Sequence, residues 1–348
     1  MIRFFSSDAM PRAALMLGLA LVFTGFTTAE GANTNQVTLQ SYLTGHGYEA
    51  IPLKWTGDNH LVVQGKVNGR KAALFVDTGA GVTAIDQALA TGMKPVNRLQ
   101  GKVYGVFGVL ATEERVVIVD KLEMESVVLE QQPAVVVNLH SAREARIDSL
   151  IPRSPLVKEY DALLGLSFLS QNCAIVDCRG PSLFVRKEAP DAVFLNDFEQ
   201  SLRRGGFVPV PLVFAHQSLW IAGAINNHPA SFLLDTGGGV TTVDANQADA
   251  LGLGVREKIM MSVDVAGRKK DTYFATVQSL RLGDFVRGKL HVAIVDLGIW
   301  RRRLEAKAMP SVQAILGPEV LFDAHAIIDC SASKLFLYQP KQPPPPKQ

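Results

Sequence analysis

Residues 74–83 read "LFVDTGAGVT" and residues 232–241 read "FLLDTGGGVT". An apolar run ends in Asp-Thr-Gly twice in one chain. A carboxylate at the end of a buried strand is costly unless something compensates it, so each site asks for a reason. The two aspartates, Asp77 and Asp235, lie 158 positions apart, and that offset aligns much of the surrounding chain. Upstream, "LVVQGKVNGRKAALFVDTG" (61–79) lies over "LWIAGAINNHPASFLLDTG" (219–237). Downstream, "LEMESVVLEQQPAVVVNL" (122–139) lies over "LRLGDFVRGKLHVAIVDL" (280–297) without a gap.

A further pair closes each half. "ALLGLSFLSQNCAIVDC" (162–178) matches "AILGPEVLFDAHAIIDC" (314–330), each with a Gly 12 residues before its last Asp (Gly165 to Asp177, Gly317 to Asp329). This block starts 88 residues after Asp77 but 82 after Asp235, as measured to the glycines. The difference places an insertion within about residues 140–160, where Pro and mixed charge suit a loop. The chain is a duplication.

Each copy reads as short strands. "LVVQGKVNG" and "LWIAGAINN" are hairpin arms running into Asn-containing turns, and "AALFV" and "SFLL" are apolar enough for strands buried on both faces. Asp77 and Asp235 then fall where strand becomes loop. Gly79 and Gly237 allow a tight backbone and the close approach of another loop. Thr78 and Thr236 each bring a short hydroxyl able to bond neighbouring backbone. No helical heptads occur, and 29 Gly and 18 Pro punctuate the apolar runs, so the expected fold class is all-β.

Whole-chain properties bound the function. The 348 residues are 47% apolar and 20% charged, enough for a packed core and two domains. A formal charge of +2 gives no electrostatic reason to expect nucleic acid or an anionic membrane as partner. The seven histidines are scattered and the three cysteines, Cys173, Cys178 and Cys330, lack zinc spacing, so no metal and no cofactor is expected. The glycines of 101–108 follow no βαβ pattern, which removes a dinucleotide reading.

The first 29 residues differ from the rest. Arg3 and Arg12 precede the uncharged "AALMLGLALVF" (13–23), and "TGFTTA" ends at Ala29. A basic start, a short apolar stretch and a small-residue exit are the pattern of a secretory signal peptide, with an uncleaved anchor as the alternative. The expectation is a cleaved segment 1–29 and an exported mature chain, periplasmic or extracellular, without stable membrane association. At the other end "QPKQPPPPKQ" (339–348) reads as an extended Pro-rich tail, with 341–348 beyond the last lobe.

The Asp-Thr-Gly loops, followed by Leu-Leu-Gly (163–165) and Ile-Leu-Gly (315–317), resemble the aspartic peptidase signature over residues 44–340. Locally they are most similar to the retropepsins, which carry Asp-Thr-Gly-Ala as Asp77–Ala80 does, while the duplication resembles the two-lobed pepsins. The resemblance implies two homologous β-barrel-like lobes related by a pseudo-two-fold, an N-terminal lobe over 44–187, a linker over 188–206 and a C-terminal lobe over 207–340. It implies a cleft between the lobes, strands "AIVDC" and "AIIDC" in an interlobe sheet, and Cys178 and Cys330 near enough to consider a bridge. By the same resemblance Asp77 and Asp235 are the catalytic dyad, and Thr78 and Thr236 grip the opposite loop. A Gly-rich hairpin at 101–109, with Tyr104 and Phe107, would be a substrate-covering flap on the first lobe only, because the second half reads "IMMSVDVAG" there.

The chain departs from pepsins in having Ala80 and Gly238 after the triplets, where pepsins carry a hydroxyl. Losing a hydrogen bond to the charged form raises an acid's pKa, so the expected pH optimum is only mildly acidic. The function implied is exported endopeptidase acting on polypeptide, as a monomer with an internal pseudo-dimer. Three other readings stay open. They are a peptide-binding module with little turnover, pairing of each copy with a second chain, and a duplicated β-domain whose carboxylates merely cap turns.

Overall fold

The computed structural model describes residues 3–6, 38–57, 59–99, 103–105, 108–111, 114–139, 160–254, 257–263, 269–298, 301 and 312–340; at 3–6, 97–99, 103–105, 108–111, 114, 257–263 and 269 it describes the backbone alone. Four short helices recur below: α1 (Leu39–Gly45), α2 (Leu166–Gln171), α3 (Ala192–Arg204) and α4 (Pro318–Asp323). Most of the regular structure among the described residues is strand, so the fold is all-β with two homologous barrel-like lobes.

In the first lobe the hairpin Leu61–Val67/Arg70–Val76 turns at Asn68 and Gly69, both at positive φ (49° and 79°). Two successive left-handed residues give the turn whose twist matches a hairpin, and Asn-Gly tolerates it best. The second lobe repeats the device with Ser218–Ile225/His228–Leu234 and Asn226 and Asn227 at 49° and 65°. The inner arm of each hairpin is buried at its end, and a short strand lies parallel beside it: Ala162–Leu164 along Leu74–Val76, and Ala314–Leu316 along Phe232–Leu234. Parallel neighbours on a central strand require apolar residues on both faces, which is why these runs are unbroken by polar residues.

The first barrel closes where Leu122–Met124 pairs back onto Gly65–Val67. There the outer strands are long, Glu114–Met124 and Val127–Val137. In the second lobe the corresponding path is cut into Lys269–Val277 and Leu280–Leu282, then Phe285–Arg287 and Leu290–Val295. The break sits where Asn226 Oδ1 accepts from the Gln278 and Ser279 amides at 2.7 and 3.3 Å.

A six-stranded sheet joins the lobes. At its centre Ile175–Asp177 of the first half pairs antiparallel with Ile327–Asp329 of the second. One face is covered by α1 and α3, whose Leu43, Phe194, Phe198 and Leu202 pack with Tyr48, Phe184 and Phe336. The other face, with Val176, Leu183, Ile328 and Leu335, continues into the main core of both barrels. The register also settles the cysteines. Cys178 N–H donates to Ala326 O and Cys330 N–H to Ala174 O, so the two residues stand at opposite ends of the strand pair, their backbones about 13 Å apart along it. That is outside disulfide reach, and all three cysteines are free and buried; the bridge considered from sequence is not formed.

Of the segment expected as a signal peptide, only the backbone of Arg3–Ser6 is described, antiparallel to Met260–Val263. The rest of 1–29, most of the 140–160 insertion and the tail from 341 lie outside the described residues. No helix among the described residues is long and apolar enough to cross a membrane.

Candidate active site

Each Asp-Thr-Gly loop hangs from the end of its buried strand by one backbone bond to the neighbouring strand. Asp77 N–H donates to Leu164 O and Asp235 N–H to Leu316 O, both at 3.1 Å. The Leu-Leu-Gly and Ile-Leu-Gly segments thus lie directly beside the two aspartates. Their glycines are required by space: a Cβ on Gly165 would stand 2.6 Å from the Val82 carbonyl carbon, and one on Gly317 2.5 Å from that of Val240.

The two loops interlock through their threonines. Thr78 N–H donates to Thr236 Oγ1 and Thr236 N–H to Thr78 Oγ1, both at 3.0 Å. The same hydroxyls then donate onward, Thr78 to Leu234 O at 3.1 Å and Thr236 to Val76 O at 2.8 Å. Four hydrogen bonds cross the lobe interface at two fully buried side chains. Each hydroxyl uses its donor and an acceptor site, so the pair satisfies both loops with no water.

This brings Asp77 and Asp235 face to face. Both are 4% exposed, and their carboxyls are within hydrogen-bonding contact. Gly79 and Gly237 make the approach available. A Cβ on Gly237 would sit 2.5 Å from Asp77 Cγ, and one on Gly79 would overlap the Asp235 carboxylate. Neither glycine has a positive φ, so the demand is for room and not for a left-handed backbone.

Inside each loop the carboxylate is held by amides. Asp77 Oδ1 accepts from Gly79 and Ala80 N–H at 2.9 and 3.1 Å, and Asp235 Oδ1 from Gly237 at 2.7 Å. Burial first, and the adjacent Asp235 charge second, push Asp77 up to about 7, against the lowering effect of the Gly79 amide. Two acids in this contact cannot both ionise cheaply. Among the described residues no group of His, Cys, Asp or Glu could hold a metal.

Sequence reasoning missed the layer around the loops. Thr83 N–H donates to Ser167 Oγ at 2.9 Å, and in the other half Thr241 N–H donates to Glu319 Oε1 at 2.8 Å. Thr83 and Thr241 end the two matching stretches, so the repeat flagged them. Ser167 and Glu319 are dissimilar mates at the start of α2 and α4 and carry no common signature. Two turns also cross between lobes. Asn59 Nδ2 donates to Gly239 O at 3.1 Å, and its mate Gln217 lies against Gly81, where a Cβ would come within 2.6 Å of it. The offset of 158 relates both members of this pair, yet nothing in their residue types announces the contact.

The candidate flap is present as backbone. Val103–Gly105 and Gly108–Ala111 pair as a two-stranded hairpin, Tyr104 opposite Val109, and Phe107 lies outside the described residues.

A two-lobed β-fold with one Asp-Thr-Gly loop from each lobe meeting at the interface is the architecture of an aspartic peptidase. Residues 63–171 match the family model described as "gag-polyprotein putative aspartyl protease", and residues 221–320 match the "Aspartyl protease" model. The chain belongs to the aspartic peptidases of the retropepsin type, with two units in one polypeptide. No curated protein matches the chain. Similar solved structures include conglutin gamma, a basic 7S globulin from lupine seeds, at 11% identity over 84% of this chain and 95% of that one, TM-score 0.39. The basic 7S globulin from soybean is 9% identical over 84% and 94%, TM-score 0.41. A retropepsin-like aspartic protease from Rickettsia conorii is 16% identical over 38% and 90%, TM-score 0.28.

Proposed function

We propose that the protein is an exported aspartic endopeptidase whose nucleophile is a water activated between Asp77 and Asp235. The observation that carries this is the pair of buried carboxyls held in contact by the reciprocal threonine bonds. One proton shared by the pair leaves one carboxylate and one carboxylic acid. The carboxylate takes a proton from water as the water oxygen bonds to the scissile carbonyl carbon, and the acid hydrogen-bonds the carbonyl oxygen as charge builds there. Proton return to the amide nitrogen then lets the C–N bond break, giving a carboxylic acid and an amine. Gly79 and Gly237 contribute by standing aside, and Thr78 and Thr236 by fixing the two loops.

The mildly acidic working range follows from the same geometry. Asp235 Oδ1 accepts an amide from Gly237, but Gly238 and Ala80 offer no hydroxyl to stabilise the charged pair. Export rests on the pattern of residues 1–29, and N-terminal sequencing of the mature protein tests it: a start near Glu30 supports export and a start at Met1 opposes it. The catalytic reading is tested by incubating the full mature chain with an unfolded protein from about pH 3 to about pH 7, with and without pepstatin. Pepstatin-sensitive cleavage is expected. Folded protein that binds peptide but leaves it intact at every pH would make it a binding module instead.

A further inference from the structure

The two Asp-Thr-Gly loops are anchored differently, and the difference is a titratable group. Residues 77–83 hang on the start of α2 through main-chain donors: Leu166 N–H reaches Ala80 O at 2.8 Å and Ser167 N–H reaches Gly81 O at 3.2 Å. The Ser167 hydroxyl closes the loop, accepting from Thr83 N–H at 2.9 Å and donating to Thr83 Oγ1 at 3.2 Å. None of these anchoring groups changes charge in the acid or neutral range.

In the second loop, residues 235–241, the mates of Leu166 and Ser167 are Pro318 and Glu319. Pro318 has no N–H to offer Gly238, the mate of Ala80, and the Glu319 amide faces its own carboxyl. The Glu319 side chain takes over. Its Oε1 accepts from Thr241 N–H at 2.8 Å, and Thr241 Oγ1 accepts from Gly317 N–H at 2.9 Å. The loop's other end is held by the same stretch, where Leu316 O accepts from the Asp235 amide. Residues 316–319 therefore fasten both ends of the loop that carries Asp235, and one fastener is a carboxyl.

That carboxyl is incompletely satisfied. Glu319 Oε2 is buried with no partner among the described residues, and it lies over Gly317, where a Cβ would come within 2.6 Å of it. As a neutral acid the group can keep its carbonyl oxygen on Thr241 and its hydroxyl in the buried corner. As a carboxylate it leaves a charged oxygen there unpaired, which costs far more. The ionisable groups on the surrounding elements are Asp235 in the loop, Asp244 in the strand Thr242–Asp244, Asp323 in α4 and Arg287 in the strand Phe285–Arg287. Asp244 is paired with Arg301 at 2.7 Å, and Asp323 with Arg287 at 2.6 Å. Burial pushes Glu319 up from the ordinary carboxylate range, against the Thr241 bonds and the Arg287 charge.

We propose that Glu319 is a pH-dependent positioning residue, seating the second-lobe loop as a neutral acid and loosening it on ionising. A proton held more tightly with the loop seated than with it open favours the seated loop at low pH. That contribution is lost as pH rises through the folded pKa. The first loop, anchored by Ser167, has no counterpart. The consequence for catalysis rests on the peptidase reading: towards neutral pH, cleavage falls because Asp235 is no longer held in register with Asp77.

Amide hydrogen exchange on the full mature chain tests the anchor without turnover, as the protection of segments 235–241 and 77–83 from about pH 4 to about pH 8. In wild type, 235–241 should lose about tenfold more protection than 77–83 as pH rises, the effect of an unpaired buried charge. Ionisation of the dyad itself reaches both loops and drops out of the comparison. Glu319→Gln keeps an acceptor for Thr241 and cannot ionise, so its two segments should change in parallel. Its cleavage should also persist to higher pH than that of wild type. Parallel behaviour of the two loops in wild type, or the same extra loss in Glu319→Gln, would overturn the proposal, and an unmoved alkaline limb would overturn its catalytic consequence. The exchange contrast in a protein that cleaves nothing at any pH would uphold the anchor and sink the peptidase reading instead.

Discussion

Replacing Thr236 by valine keeps the shape of a fully buried side chain and removes two interlobe hydrogen bonds. The Thr78 amide loses its acceptor at 3.0 Å and the Val76 carbonyl loses its donor at 2.8 Å. Each lost bond is worth about 1 kcal/mol, and a buried amide left unpaired costs about 1–3 kcal/mol, so the expected destabilisation is about 2–4 kcal/mol. Thr78→Val should cost the same to within about 1 kcal/mol, because its two bonds are the pseudo-symmetric copies. Thr236→Ser retains the oxygen and should stay close to wild type. Urea unfolding reads the effect as a shift in midpoint at constant slope. Activity should fall further than stability alone explains, since both loops carry an aspartate and a shift of about 1 Å can cost about a hundredfold in rate. A Thr236→Val protein whose midpoint matches that of Thr236→Ser would refute the interlock as a source of stability.

Other outcomes follow from the same geometry. Gly237→Ala, whose Cβ would meet Asp77 Cγ at 2.5 Å, should abolish cleavage and pepstatin binding in a protein that still folds; calorimetric titration of pepstatin checks this. Asp77 holds its proton to about 7 in the fold but releases it near the ordinary carboxylate range when unfolded, so the folded state binds more protons between these limits. Stability from this group is therefore full at low pH and is lost as pH rises from about 4 to about 7, and Asp77→Asn should flatten that part of a melting-temperature profile. A Cβ on Gly238 would stand 3.5 Å from Asp235 Oδ2, so Gly238→Ser brings a hydroxyl to the charged pair and should move the acid limb of the pH–rate profile downward. Cys173, Cys178 and Cys330 are buried thiols, and burial pushes those of Cys178 and Cys330 up. A thiol reagent should label the native protein only on unfolding, and a reductant should leave the melting temperature unchanged.

Much of this was legible in the sequence because duplication writes every structural requirement twice. The Asn turns, the apolar runs into Asp77 and Asp235, and the Leu-Leu-Gly and Ile-Leu-Gly segments each recur at a fixed offset. Each also has a local physical cause: a left-handed turn, a strand buried on both faces, a backbone with no room for Cβ. What stayed hidden depends on tertiary context. Ser167 and Glu319 do equivalent work with different side chains, so similarity could not pair them. Asn59 and Gln217 are ordinary turn residues until the lobes are docked. The cysteines seemed near because their strands are paired, and only the register, Cys178 opposite Ala326, shows them apart.

The central claim is that one proton is shared across the lobes between Asp77 and Asp235, and the most direct measurement is cleavage of an unfolded protein by Asp77→Asn and by Asp235→Asn. The account predicts that each single variant folds, as judged by its melting curve, and that neither cleaves. Activity surviving in either folded variant would contradict it.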